Sequence, residues 1–321
     1  MSDVTIELKN IFSERLKENE PLSKHTTWRI GGPACWFVEA KNPDEIQSAV
    51  QIAETAGVKY LILGGGSNVL VSDDGFEGLV IHPSLREIKV EGNFLTAEAG
   101  VPVSLVSRAA LENNFSGLEW MITLPGTIGG AVRGNAGCFG CETGSLIKTV
   151  KLLRDGKIIE VAGSEMNFAY RNSLVKQNRQ EIILSATFEL VSGDSETIKN
   201  KMDELLAKRL ASQPPAGGTA GCVFKNYIIK DNELERLKQE TDIPPEMLAK
   251  KIISAGWLIE QMDLKGKQIG GAKISEKHAN FIENVANATA SDVIQLIALV
   301  KMNARDRFGI QLEEEVEYIG F

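Results

Sequence analysis

At 321 residues the chain is long enough for two or three domains that each bury a core. A formal net charge of -8 argues against a general binder of nucleic acid or of an anionic membrane. No apolar run approaches the roughly 20 residues of a membrane span, the start MSDVTIELKN lacks the parts of a signal peptide, and four cysteines make no disulfide framework in a chain this long, so the expectation is a protein of the reducing cytoplasm.

The first apolar run, 36–40, reads as a strand. Asn42 and Pro43 fit an N-cap followed by proline at the first helical position. Ile46, Ala49, Val50 and Ala53 then recur at helical spacing, and Gly57 fits the stop. Residues 59–63 are the next strand, completing a β-α-β unit that feeds LGGGSN. DDGFEG at 73–78 is a turn and 79–81 a strand. Residues 88–99 form a hairpin turning at Gly92-Asn93, and 103–113 a helix with Val103, Val106 and Ala110 on one face. Strands follow at 150–153 and 157–161, around Asp155-Gly156, and at 182–190. The helix at 195–210 carries Ile198, Met202, Leu205 and Leu206, and Gln213-Pro214-Pro215 ends it at a domain boundary. Residues 234–248 are rich in charge and read as a solvated excursion, broken at Pro244-Pro245. Ser291 caps a helix whose Val293, Leu296, Ile297 and Val300 share a face and which Gly309 ends. In the closing GIQLEEEVEYIG, Leu312, Val316 and Tyr318 point one way and Glu313, Glu315 and Glu317 the other.

The densest punctuation is LPGTIGGAVRGNAGCFG, 124–140, with glycine at 126, 129, 130, 134, 137 and 140. Backbone free of side chains lets a bound group approach closely, and positive φ lets successive amides converge on an anion. A helix beginning nearby would add its positive end. LILGGGSN at 61–68 and PPAGGTAGCVFKN at 214–226 share this density. None matches a known phosphate fingerprint: Val69 stands where G-x-G-x-x-G needs glycine, and no P-loop pattern occurs. The reading is a diphosphate held by backbone, with tight turns as the plainer alternative. Its charge would fall to local cations, for which Arg29, Arg171, Arg209 and Lys225 are the candidates.

Other groups could carry chemistry. The glutamate row is either the charged face of an edge strand or includes one enclosed carboxyl that holds a proton. Cys138 and Cys141 form a C-x-x-C that is half a zinc site at most, with Cys35 and Cys222 isolated, so no metal is expected. Cys222 sits in a glycine-rich loop and is either a buried inert thiol or one that the nearby Lys225 biases toward the thiolate. His278 is either structural or a neighbour of substrate. Arg171, within Tyr170-Arg171-Asn172-Ser173, is either an ordinary surface arginine or, if buried beside an anion, a fork suited to carboxylate or phosphate.

Seven segments in this order resemble the MurB family of UDP-N-acetylenolpyruvoylglucosamine reductases, over nearly the whole chain from about residue 22 to 320. They are TTWRIGG, LGGGSNVLVSDDGFEGLVI, LPGTIGGAVRGNAGCFG, YRNS, AGCVFKN, KHANFIEN and LEEEVEYIG. The resemblance implies an α+β protein with a two-subdomain FAD-binding fold of the PCMH/MurB type, at 1–80 and 81–212. A smaller substrate-binding domain would follow at 213–310, then a C-terminal strand at 311–321 that carries a catalytic glutamate. It implies FAD as cofactor, NADPH as reductant, and reduction of UDP-N-acetylglucosamine enolpyruvate to UDP-N-acetylmuramate in peptidoglycan precursor synthesis, by a monomer without nucleic-acid or membrane partners.

Residue by residue, the resemblance makes Arg171 the group that polarises the enolpyruvyl carboxylate, Glu315 the carboxylate near the reacting carbons, and Cys222 the proton donor where the family usually has serine. It implies cofactor binding by Arg29, Gly64, Gly65, Gly66, Ser67, Asn68, Pro125, Gly126, Thr127, Gly129, Gly130, Asn135 and Gly137. Tyr170, Arg209, Gln213, Lys225, Asn226 and His278 would bind substrate. Glu317 stands where the family commonly has arginine, and the short span from Arg171 to Ile182 matches the shorter, second class of these enzymes. The alternatives are another flavin oxidoreductase of the same fold and a non-catalytic nucleotide-sugar or flavin sensor.

Overall fold

The computed structural model describes residues 3–178, 180–215, 217–240 and 242–321. They form two compact units. The first comprises Met1–Glu20, Ala34–Gly65 and Glu77–Ala211, the second Pro21–Pro33, Gly66–Phe76 and Ser212–Phe321. Compactness thus cuts across the linear ranges, because 21–33 and 66–76 fold with the C-terminal third.

The first unit holds two sheets. One has the strand order Leu16–Pro21, Pro33–Ala40, Phe76–Pro83, Tyr60–Ile62, with the last two parallel. Asn42 Oδ1 accepts from the Glu45 amide at 2.9 Å and Pro43 opens the helix Pro43–Thr55, as the sequence predicts. The helix Asp3–Phe12 was not foreseen. It buries Val4, Leu8 and Phe12 in the same core as Ile46, Ala49 and Ala53.

The other sheet is antiparallel, in the order Lys157–Ala162, Ile147–Arg154, Ile182–Glu189, Phe94–Glu98, Ile88–Glu91. Its turn at Asp155 and Gly156 has φ of 49° and 68°, the two positive values of a tight hairpin. The helices Val103–Glu112 and Ile128–Arg133 share its core, where Leu95, Val106, Ile128, Val132, Leu152 and Phe188 are buried. The second of these helices lies inside the segment read as a glycine loop.

The second unit is built around the helix Ala290–Phe308, whose Val293, Leu296, Ile297 and Val300 are buried as the spacing predicts. The cap is Thr289 rather than Ser291: its hydroxyl accepts from the Asp292 amide, and Asp292 returns a bond to the Thr289 amide. Asp73 adds a second cap by accepting from the amides of Ala290 and Ser291. Residues 234–248 are not a solvated excursion. They form the helices Leu234–Glu240 and Pro245–Lys250, and Leu237 and Ile243 are buried in the core of this unit. Charge density hid these two anchors and the apolar Leu234, Met247 and Leu248 that pack against the same core.

The closing segment also departs from simple alternation. Leu312 and Val316 are buried, but Tyr318 is exposed and Ile319 buried. The chain changes partner within the row. Glu315 donates its amide to the Val223 carbonyl at 2.7 Å, whereas Glu317 donates to Asn68 at 3.0 Å and Glu317–Ile319 pairs in parallel with Val69–Val71. A change of partner resets which side chains face the core, so a single period cannot run through both halves.

Tyr227 ties the start of the charged stretch down. Its hydroxyl donates to both Glu233 oxygens, at 2.8 and 2.7 Å, and burial together with Glu233 pushes its pKa up to about 12. The folded chain therefore keeps that proton above the unfolded value of about 10. The stabilisation is complete below pH ~10 and is lost as pH rises through about 12. The Tm difference between the wild type and Tyr227→Phe is expected to narrow across that window, read by thermal melts. A difference independent of pH would contradict the assignment.

Candidate active site

In the first unit, two glycine-bearing turns meet backbone to backbone. A Cβ on Gly64 would lie 2.6 Å from Thr127 Oγ1, and one on Gly65 would lie 2.7 Å from the Gly126 Cα. Gly126 has φ of 95°, and its carbonyl accepts from the Val103 amide. Thr127 N-caps the helix Ile128–Arg133, yet its hydroxyl makes no capping bond. That hydroxyl is buried, and none of the described groups bonds it. A buried hydroxyl in this state is completed by a ligand or by water, so Gly64, Gly65, Gly126 and Thr127 fit an oxygen-rich group such as a diphosphate.

The cradle is narrower than a glycine count suggests. The Ile128 and Gly129 amides donate to the Val101 and Ala99 carbonyls, both at 2.9 Å. The start of this helix is thus held largely by protein. Asn135 is 1% exposed, and its side chain donates to Glu142 and to the Ala169 carbonyl while accepting from the Gly144 amide. Gly137 lies where a Cβ would overlap the Cys141 carbonyl. In the described contacts both residues serve the hairpin formed by Gly137–Cys138 and Cys141–Glu142.

That hairpin orients Arg171. The guanidinium donates to the Gly137 carbonyl at 2.9 Å and to that of Asn135 at 3.5 Å, and lies 5.0 Å over the Tyr170 ring. Arg171 itself has φ of 55°, a left-handed conformation that costs a residue with a Cβ about 1 kcal/mol or more. Ser173 secures the turn by donating to the Arg133 carbonyl at 2.7 Å and capping the helix Leu174–Gln177. Burial pushes the Cys138 thiol up, against the Thr123 hydrogen bond and the charges of Arg209 and Arg171. The structure therefore brings Arg171, with Tyr170 beneath its guanidinium, to a hairpin whose Gly137 lies 34 positions earlier in the chain.

In the second unit, TTWRIGG is sewn to residues distant in sequence. Trp28 is fully buried and donates from Nε1 to the Ile282 carbonyl at 2.7 Å. Asn284 donates to the Trp28 carbonyl, and the Gly218 amide donates to that of Thr27. Arg29, at φ 59°, carries its guanidinium over Gly217, where a Cβ would come within 3.2 Å of Nη2. Gly66 has φ of 59°, and a Cβ there would overlap the His25 carbonyl.

Two predicted catalytic residues lie on neighbouring segments of this unit. Glu313 to Glu315 runs alongside Val223 to Lys225: the Lys225 amide donates to the Glu313 carbonyl, and the Glu315 amide to that of Val223. Cys222 precedes Val223 and bridges to Phe281. Lys225 pairs with Glu313 at 3.2 Å and Lys301 with Glu314 at 2.9 Å. Asn68 donates to the Glu315 carbonyl at 3.1 Å, so a residue expected at the cofactor also steadies the segment of the predicted catalytic glutamate. Asn226 and His278 meet at the helix Ala255–Gln261. Asn226 Oδ1 accepts from the Ala255 amide, and a Cβ on Gly256 would lie 3.2 Å from the His278 ring. His278 Nδ1 accepts from the Asn280 amide at 3.3 Å, which assigns its proton to Nε2. Gln213 Oε1 is buried without a hydrogen-bond partner among the described residues.

Asn280 is the residue the sequence reading missed. It is 3% exposed and clamps Phe224 from both sides, accepting from its amide at 2.9 Å and donating to its carbonyl at 2.8 Å. It lies within KHANFIEN, but nothing in the local pattern shows that its partner is 56 residues away. Among the described residues no group of three or more His, Cys, Asp or Glu is arranged to hold a metal ion.

Residues 35–162 match the family described as FAD binding domain, and residues 213–319 match the C-terminal domain of UDP-N-acetylenolpyruvoylglucosamine reductase. The UDP-N-acetylenolpyruvoylglucosamine reductase of Clostridioides difficile (strain 630) is 34% identical over 99% of this chain and 98% of its own length. The chain belongs to this reductase family. A second family member, from Carboxydothermus hydrogenoformans, is 38% identical over 98% of this chain and 97% of its own. The crystal structure of the MurB reductase from Thermus caldophilus matches with a TM-score of 0.76 at 30% identity, covering 95% of this chain and 99% of that one. The α+β fold and the FAD cofactor expected of a MurB reductase are thereby established for this chain.

Gly64→Ala drives a methyl group onto the buried Thr127 hydroxyl. The expected result is a loss of about 1–3 kcal/mol of stability, with a lower flavin absorbance per mole of folded protein. Full flavin content in that variant would remove Gly64 from the cradle. Asn280→Ala leaves the Phe224 amide and carbonyl without their partner. Denaturant unfolding is expected to show a cost of about 1–3 kcal/mol for each buried group orphaned.

Proposed function

We propose that this chain reduces UDP-N-acetylglucosamine enolpyruvate to UDP-N-acetylmuramate with NADPH and FAD, the reductive step of peptidoglycan precursor synthesis. The observation that carries the reading is the end-to-end match to these reductases, which spans the FAD-binding part and the C-terminal domain alike.

FAD, when bound, would supply the hydride chemistry that links NADPH to the substrate double bond. The chain's own residues bind, polarise and protonate. We assign Arg171 to the enolpyruvyl carboxylate. Its fork is oriented by the Asn135 and Gly137 carbonyls and offsets the charge that grows there as the double bond is reduced. We assign Cys222 as general acid, giving its Sγ proton to the carbon next to the carboxylate and regaining one from solvent. Thiols are stronger acids than the alcohol that the family usually presents, so the exchange is chemically sound. Glu315, held through its own backbone to Val223 and Asn68, orients the reacting carbons.

For the cofactor we assign Arg29, the Gly64-Gly65-Gly66-Ser67-Asn68 turn, Pro125, Gly126, Thr127, Gly129 and Gly130, with Asn135 and Gly137 shaping the adjoining hairpin. Tyr170, Arg209, Gln213, Lys225, Asn226 and His278 are assigned to the nucleotide-sugar substrate. The enzyme is proposed to act as a cytoplasmic monomer. No helix among the described residues is long and apolar enough to cross a membrane.

NADPH consumption in the presence of UDP-N-acetylglucosamine enolpyruvate tests the reading directly. Cys222→Ser is expected to keep substantial turnover and Cys222→Ala to lose on the order of 100-fold or more, the range of a general acid. An alanine variant as active as the wild type would end the assignment of Cys222. Binding of the enolpyruvate without NADPH oxidation would end the assignment as an enzyme.

A further inference from the structure

The hairpin that orients Arg171 carries the C-x-x-C. Cys138 and Cys141 are direct cross-strand partners, joined by a turn in which Phe139 and Gly140 have φ of 54° and 83°. Directly opposed residues of an antiparallel pair have Cα atoms about 4.5–5.5 Å apart and side chains on one face. A disulfide needs about 4.4–6.8 Å, so the backbone already has the required span. The two thiols differ in access. Cys141 is exposed, whereas Cys138 is half-buried, 3.4 Å from the Thr123 hydroxyl and 3.8 Å from the Trp120 carbonyl.

We propose that Cys138 and Cys141 are a reversible dithiol–disulfide pair, oxidised by hydrogen peroxide, that sets the position of Arg171. The exposed Cys141 sulfur attacks one peroxide oxygen; the O–O bond breaks, water leaves after protonation, and Cys141 becomes a sulfenic acid. The Cys138 sulfur then attacks the Cys141 sulfur, the S–S bond forms and the S–O bond breaks, releasing a second water. Two thiols lose two hydrogens and two electrons, and one peroxide becomes two waters. A thiol reductant reverses the step.

The reach to Arg171 is short on both strands. Gly137, next to Cys138, accepts from the guanidinium at 2.9 Å. Glu142, next to Cys141, accepts from Asn135 Nδ2 at 2.9 Å, and the Asn135 carbonyl is the second acceptor of Arg171. Closing the bond draws the Cys138 sulfur away from Thr123 and Trp120, and so strains both carbonyls that hold the fork. The effect on turnover rests on the role proposed for Arg171; formation of the bond does not.

The test uses full-length, flavin-loaded protein treated with hydrogen peroxide, then alkylated and digested with trypsin. Peptide 134–148 holds both cysteines. It is expected lighter by two hydrogens and closed to alkylation, and open again after dithiothreitol. Alkylation of both thiols after oxidation would overturn the pair. In parallel, kcat is expected to fall on the order of tenfold on oxidation, as a small misplacement of a positioned group allows. Dithiothreitol should restore it, and Cys141→Ser should escape the fall. Loss of activity shared equally by Cys141→Ser would assign the damage to Cys222 and overturn the link to Arg171. Disulfide formation without any change in kcat would overturn that link as well.

Discussion

The carboxamide of Asn280 engages both backbone groups of Phe224, and the segment that carries Cys222 and Lys225 is held by that clamp. The segment from Cys222 to Lys225 is an irregular stretch entered through Gly221 at φ 78°, with isolated bridges in place of a regular ladder. Such a stretch leaves amides and carbonyls to be satisfied singly. Asn280 satisfies two of them in a buried setting where an orphaned group would be costly. Once the segment is held, the Val223 carbonyl is available to the Glu315 amide and the Glu313 carbonyl to the Lys225 amide. The thiol, the lysine and the carboxylate are thus mounted on two strips of backbone that fix each other.

The first unit solves a different problem by removing side chains. Gly64 and Gly65 face Gly126 and Thr127 so closely that a single methyl has no space. Without a Cβ the two turns can close on each other, and the Thr127 hydroxyl between them is buried with no hydrogen-bond partner among the described groups. Beside it, the Arg171 fork is held by two carbonyls, and its left-handed backbone is secured by the buried Ser173. A strained residue persists where its neighbours over-determine it. The cofactor and carboxylate roles proposed above would thus fall to neighbouring turns of the first unit.

The sequence made the regular elements legible where one physical rule governed. Asn42-Pro43 begins a helix because a side-chain oxygen and a preset φ both favour it. Asp155-Gly156 turns a hairpin because both positions take positive φ. It misled where two rules competed. Residues 234–248 look solvated by charge, yet Leu237 and Ile243 are buried in the core and Leu234, Met247 and Leu248 pack against it. The glutamate row looks like one strand, yet its backbone serves Val223 first and Asn68 afterwards.

By itself the sequence determined many of the regular elements, and its seven ordered segments carried the resemblance that points to Arg171, Cys222 and Glu315. The elements are local properties, set by residue type and by neighbours within a few positions. Only the tertiary structure decided that Asn280 clamps Phe224, that Asp73 caps the helix Ala290–Phe308, and that the C-x-x-C hairpin holds the Arg171 guanidinium. Each of these pairs residues tens to hundreds of positions apart. Their meeting is settled by how cores close, and no local period or propensity carries that information.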